Sequence, residues 1–135
     1  MNRGLVSFRE AQGAIAQALR NIGWEVLEDP NIPVVRPDLI ARSPGGKIVV
    51  IEIKLTERSA STTYADLAEV SAIGDVLKDA AGAPDVVPML ITNRNLSDDT
   101  YDMAKQFGVR VVRVSGDRYE IAKTAMEAVL QPWIT

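Results

Sequence analysis

The chain has 135 residues, of which 47% are hydrophobic and 24% are charged, and its formal net charge is −3. These values predict a single folded domain over residues 1–135, and they exclude a disordered chain or a basic coat protein of nucleic acid. Cysteine and histidine are absent, which excludes disulfides, thiolate nucleophiles, Ser-His-Asp triads and histidine-bound metals. Catalysis by this chain is therefore restricted to carboxylates, lysine, tyrosine, hydroxyl groups and hard metal ions.

The sequence shows no sign of a membrane-spanning, a secreted or a nucleotide-binding protein. No apolar run approaches the length of a membrane span, and the first residues lack the apolar core of a secretory signal. No glycine-rich phosphate loop follows any predicted strand. We therefore expect a cytoplasmic protein with no membrane partner and no nucleotide cofactor.

Hydrophobic spacing and end signals predict alternating helices and strands. In chain order these are a helix at 8–22, strands at 24–27, 38–42 and 47–55, a helix at 63–81, a strand at 86–92, a helix at 97–107, a strand at 109–114 and a helix at 117–130. The helices are supported by capping and terminating residues, with Ser7, Thr63, Ser97 and Asp117 at the starts and Gly23, Gly82 and Gly108 at the ends. Glu10 and Glu120 complete two capping boxes.

The strands are predicted to form one mixed sheet. Ser43 to Gly46 has Pro44 and Gly45 at the central positions of a tight turn, which joins strands 38–42 and 47–55 as a hairpin. Residues 48–51 are apolar on both faces, as in an interior strand. The strand-helix-strand alternation that follows indicates parallel neighbours with right-handed crossovers. The predicted class is α/β, with a mixed central β-sheet flanked by helices.

Two acids and a lysine are predicted to meet on this hairpin. Glu52 and Lys54 are two residues apart and project from the same face of a strand, and Asp38 could reach that face from the neighbouring strand. Magnesium prefers hard oxygen ligands, and the protein usually supplies one or two of them as carboxylates. Three explanations of the charged strand end remain open: the strand emerges into solvent, Glu52 and Lys54 pair with each other, or both face a cleft that contains a metal ion.

Pro37-Asp38, Glu52-Ile53-Lys54 and a leading helix with Glu10 resemble the PD-(D/E)xK nuclease superfamily, which has a restriction-endonuclease-like fold of αβββαβαβ order. The resemblance covers residues 7–114 and is similar in kind to small junction-resolving and type IV restriction nuclease domains. It implies that the chain forms a single nuclease domain of this fold.

The resemblance also implies a role for each site residue. Asp38 and Glu52 would ligate Mg²⁺, or Mn²⁺ as its substitute, and the backbone carbonyl of Ile53 would add a third oxygen. Lys54 would lie beside the attacking water and the phosphate oxygens. Glu10 would be the acid that some members place on the first helix, facing the site.

The implied function is hydrolysis of DNA phosphodiester bonds by a metal-activated water. The substrate would be duplex or branched DNA, and a homodimer would present two sites to two strands. Many relatives carry a glutamine motif in the helix after the lysine, whereas residues 63–81 contain no glutamine. This departure leaves a catalytically inactive nuclease-fold module for nucleic-acid binding or protein assembly as an alternative. A doubly wound, protein-binding α/β domain is another, and it would have no salt-dependent DNA affinity.

Overall fold

The structure is a computed structural model that describes residues 6–32, 34–56, 62, 64–81 and 85–131. Its elements are α1 (Phe8–Asn21), β1 (Glu25–Glu28), β2 (Leu39–Arg42), β3 (Ile48–Lys54), α2 (Tyr64–Ala81), β4 (Val86–Thr92), α3 (Asp98–Phe107), β5 (Arg110–Arg113) and α4 (Arg118–Leu130). The predicted order is confirmed, and each predicted boundary lies within one residue of the observed one. Thr63 and Gly82, the predicted ends of α2, lie outside the described residues.

Local end signals account for the helix boundaries. The Ser7 hydroxyl accepts a hydrogen bond from the Glu10 N–H (3.1 Å), and the Glu10 carboxylate accepts from the Ser7 N–H (3.4 Å). Asp117 and Glu120 form the second predicted capping box, at the start of α4. Gly108 ends α3 with a φ of 70°, in the left-handed region that glycine enters without steric cost. The predicted caps of these helices are confirmed.

The sheet has the order β1-β2-β3-β4-β5. The β1–β2 and β2–β3 pairs are antiparallel, and the β3–β4 and β4–β5 pairs are parallel, so the predicted mixed sheet is confirmed. The hairpin turn closes through a bond from the Gly46 N–H to the Ser43 carbonyl (2.9 Å). β3 lies at the centre of the sheet, and its residues 49–53 are buried, as predicted for an interior strand.

Helices cover both faces of the sheet. On one face, Ile51 of β3 packs in a buried cluster with residues of α1 and α4. On the other face, Val50 packs with Ile73 of α2, and Leu67 of α2 packs with Ala104 of α3. In the described part of the chain, no helix combines the length and hydropathy needed to cross a bilayer. Side chains on β3 therefore alternate between an α1/α4 face and an α2/α3 face, which decides where its charged residues lie.

Candidate metal centre

Asp38 and Glu52 lie side by side on the α2/α3 face of the sheet. The antiparallel register pairs Leu39 of β2 with Ile51 of β3, so Asp38, one residue earlier, lies opposite Glu52. Glu52 shares the strand face of Val50, since side chains alternate along a strand. The two carboxyl groups are close enough that the charge of Asp38 raises the pKa of Glu52. The predicted hairpin therefore brings these two acids together.

The surroundings of the two carboxylates leave one oxygen available to a cation. The Ile53 N–H donates to Asp38 Oδ2 at 2.7 Å. Glu52 is only 6% exposed, and its Oε1 is buried without a hydrogen-bond partner among the described residues. A buried carboxylate is costly unless it is paired, bound to a metal or neutralised by a proton. The donor chemistry thus fits a bound cation at this position.

Burial and the neighbouring charge of Asp38 raise the pKa of Glu52 to about 8. Burial likewise raises the pKa of Asp38, whereas the hydrogen bond from Ile53 lowers it. Because Asp38 keeps a backbone donor on its carboxylate, we assign the proton that the pair holds at neutral pH to Glu52. The metal-free pair therefore carries about one negative charge rather than two.

Lys54 lies next to the acid pair and contacts α2. Its ammonium Nζ is 3.4 Å from each carboxylate oxygen of Glu69. Its charge lowers the pKa of both Asp38 and Glu52. The burial of Glu52 contradicts the explanation in which β3 emerges into solvent at this point, and the ion pair of Lys54 is made with Glu69. A metal-containing cleft at the charged end of β3 stays a prediction.

In the part of the chain that the structure describes, the acids that lie together at this point are Asp38 and Glu52. Among the described residues, no group of three or more acidic side chains is placed to hold a metal ion. One or two carboxylates are the usual protein share for Mg²⁺, which keeps several waters of its own. An all-oxygen donor set also favours Mg²⁺ or Mn²⁺ over softer metals. The pair matches this usual number of protein carboxylates.

Solved nuclease structures share this arrangement of strands and helices. A repair endonuclease from Pyrococcus abyssi superposes with a TM-score of 0.63 at 18% identity, over 86% of this chain and 50% of that chain. EndoMS in complex with double-stranded DNA gives 0.57 at 15% identity, over 86% of this chain and 49% of the other. EndoMS in its apo form gives 0.55 at 18% identity, over 82% and 48%.

The chain has a restriction-endonuclease-like fold. The fold predicted from the sequence is therefore confirmed, and the chain spans about half the length of each of these solved proteins. Comparison of the sequence with protein-family models and with curated proteins gives no match. The likeness is one of fold, because sequence identity is low in every case.

The structure of this restriction-endonuclease-like domain does not show the predicted site roles of Glu10 and Ile53. Glu10 completes the Ser7 capping box, and its carboxylate lies 3.7 Å from Arg118 of α4, on the α1/α4 side of the sheet. The structure does not bring Glu10 into contact with the acid pair, and its catalytic role stays a prediction. For Ile53, the contact described with the acid pair is the hydrogen bond from its N–H to Asp38. Metal ligation by its carbonyl also stays a prediction.

Sequence reasoning missed two residues that the fold brings to the site. Glu69 approaches Lys54 from α2, and no local signal marks it because the contact depends on how α2 crosses the sheet. Gln12 of α1 donates to the carbonyl of Asp38 at 3.0 Å. A signal for Gln12 did exist, since it is a polar residue at a buried position of an amphipathic helix.

Proposed function

We propose that this domain is a metal-dependent nuclease of the PD-(D/E)xK type that hydrolyses DNA phosphodiester bonds. The observation that carries the proposal is the convergence of Asp38 and Glu52, with a buried carboxylate oxygen left unpartnered and Lys54 alongside. The fold it shares with a repair endonuclease and with DNA-bound EndoMS supports DNA as the substrate.

In this proposal Asp38, Glu52 and the carbonyl of Ile53 hold Mg²⁺, for which Mn²⁺ can substitute. A bound ion of this type would make its water more acidic and would neutralise charge on the phosphate. Glu52 must give up its proton for the ion to bind, because a metal ligand must be deprotonated. The raised pKa of Glu52 therefore makes metal loading dependent on pH.

The chain's own contribution to catalysis is a fixed positive charge beside the ion. Lys54 presents its ammonium next to both carboxylates, where it can hold a non-bridging phosphate oxygen and stabilise the charge that develops on it. Its contact with Glu69 keeps the side chain on the α2 side of the sheet. This placement of charge before the reaction begins is the kind of electrostatic stabilisation that most lowers a barrier.

The proposal also covers the form of the substrate, the oligomeric state and the location of the protein. We expect duplex or branched DNA as the substrate, a homodimer that presents two sites to two strands, and a cytoplasmic location. Phosphate contacts would make DNA affinity fall steeply with added salt. DNA-bound EndoMS supports the duplex as one form of the substrate.

Lys54→Ala is expected to slow DNA cleavage roughly 100- to 1000-fold, because it removes a preorganised positive charge at the phosphate. The measurement is cleavage of plasmid, linear and junction DNA in Mn²⁺ by the native and variant proteins. Lys105→Ala, which removes an exposed lysine of α3, is the matched control and should cleave like the native protein. Equal activity of the native protein and Lys54→Ala would contradict the nuclease proposal. Salt-dependent DNA binding without cleavage would instead support the inactive-module alternative.

A further inference from the structure

Gln12 is a buried polar residue on the face of α1 that packs against the sheet. It is 2% exposed, and its neighbours on that face, Ala11, Ile15 and Ala16, are fully buried. A buried side-chain amide destabilises a protein unless its donors and acceptor find partners. An apolar side chain would fill the same space without that requirement. The partners of Gln12 therefore indicate what the amide does.

Both ends of the Gln12 amide are hydrogen-bonded. Nε2 donates to the carbonyl oxygen of Asp38 at 3.0 Å, and Oε1 accepts from Arg9 Nη1 at 2.7 Å. A carbonyl can only accept and a guanidinium can only donate, so these two partners fix the orientation of the amide. Arg9 is itself held by an ion pair with Asp29.

Asp38 is consequently held at its main chain and at its side chain by different elements. Its carbonyl accepts a second bond from the Asp29 N–H at 3.0 Å, and its carboxylate accepts from the Ile53 N–H at 2.7 Å. Gln12 supplies the contact from the helical layer on the opposite face of the sheet. These contacts limit how far Asp38 can move relative to Glu52.

We infer that Gln12 is a positioning residue of the metal centre, which fixes the backbone of Asp38 so that its carboxylate stays beside Glu52. The inference rests on the proposed metal site. Ligand groups must be held to within roughly 0.5 Å of their working positions, and outer partners of metal ligands typically change metal affinity 10- to 100-fold when they are removed. Gln12 acts through Asp38 and has no direct contact with the ion in this scheme.

Gln12→Met tests the inference, because methionine matches glutamine in size and helix propensity but cannot form either hydrogen bond. We expect Mn²⁺ to bind roughly tenfold more weakly, measured by titration calorimetry at a temperature well below unfolding. The matched control is Gln17→Met on the same helix, where the exposed Gln17 bonds only to Asn21 in the described contacts. The control should bind Mn²⁺ like the native protein. A residue with a purely structural role would lower the melting temperature and leave the dissociation constant unchanged.

Arg9→Met provides a second test that does not disturb the core, because Arg9 is exposed. Removing a positive charge near Asp38 should by electrostatics alone strengthen cation binding. The positioning role predicts weaker cation binding instead, because Gln12 Oε1 loses the donor that orients it. We expect Mn²⁺ binding to weaken roughly two- to threefold, a loss at the low end of those seen for outer partners of metal ligands.

The outcomes separate this inference from the nuclease proposal. Native protein that fails to bind Mn²⁺ would overturn the metal site itself, and the inference with it. Native binding that persists unchanged in Gln12→Met would overturn the inference alone. If Gln12→Met does not fold, Mn²⁺ binding by Arg9→Met as tight as or tighter than that of the native protein would overturn the inference.

Discussion

Asp38→Ala is expected to abolish measurable Mn²⁺ binding and to lower DNA cleavage at least roughly 1000-fold, which corresponds to about 4 kcal/mol of transition-state stabilisation. Asp38 supplies one of the two carboxylates of the proposed site, and one carboxylate alone holds a hydrated divalent ion weakly. The measurements are the cleavage rate in Mn²⁺ and the rise in melting temperature that saturating Mn²⁺ produces in the native protein.

Asp29→Asn is the matched control for Asp38→Ala. Asp29 is an exposed acid whose N–H donates to the Asp38 carbonyl, and asparagine tolerates its positive φ of 46° and keeps that N–H. This control leaves the Asp38 carboxylate in place but weakens the ion pair of Asp29 with Arg9. We therefore expect it to bind Mn²⁺ and cleave DNA within a few-fold of the native protein, far above Asp38→Ala. Mn²⁺-dependent stabilisation that survives in Asp38→Ala would contradict the assignment of Asp38 as a ligand.

Glu52→Gln is expected to stabilise the metal-free protein at alkaline pH while it abolishes metal binding. The folded protein raises the pKa of Glu52 to about 8 through burial and the charge of Asp38, against an ordinary value of 4.5. Between these values the folded state keeps a proton that the unfolded state has lost. Stability linked to Glu52 is therefore complete below about pH 4.5 and is lost as the pH rises through about 8.

The size of this effect follows from the same linkage. Each unit of pKa difference corresponds to about 1.4 kcal/mol, and sharing of the proton with Asp38 divides the shift between two groups. We expect Glu52→Gln to exceed the native protein by roughly 2–3 kcal/mol at pH 8, or roughly 10 °C in melting temperature, and to differ little near pH 5. Thermal and denaturant unfolding across this range in a chelator-containing buffer provide the measurement.

Glu127→Gln serves as the control for Glu52→Gln. Glu127 is an exposed acid of α4, which packs on the opposite face of the sheet. The stability of Glu127→Gln should depend on pH as that of the native protein does. The gain in stability in Glu52→Gln would then be specific to the acid pair. A Glu52→Gln protein that is less stable than the native protein at pH 8 would show that Glu52 is ionised and paired in the metal-free state.

The sequence predicted those features that depend on local chemistry. The capping boxes at Ser7 and Asp117, the turn at Pro44 and the doubly apolar run in β3 each act over a few residues, and the predicted element boundaries rest on such signals. The parallel half of the sheet was predicted from the alternation of strands and helices along the chain. The pairing of Asp38 with Glu52 could also be predicted, because a tight turn fixes the register of the two strands it joins.

Contacts between layers could not be predicted in the same way. Glu69 reaches Lys54, and Gln12 reaches Asp38, only because two helices pack at particular heights on opposite faces of the sheet. For Glu10 the local signal predicted its place in the capping box, and the ion pair with Arg118 required the packing of α1 against α4. The candidate site is therefore only partly predictable from the sequence. The acid pair lies in one hairpin, but the residues that contact it or Lys54 come from helices on both faces of the sheet.

The central claim is that Asp38 and Glu52 together hold one divalent ion, and calorimetric titration with Mn²⁺ near pH 7 tests it most directly. Titrations in two buffers with different ionisation enthalpies give both the stoichiometry and the number of protons released. The expected result is about one ion per chain with release of up to about one proton, because Glu52 must lose its proton to become a ligand. Mn²⁺ binding that releases no proton and is unchanged in both Asp38→Ala and Glu52→Gln would contradict the claim.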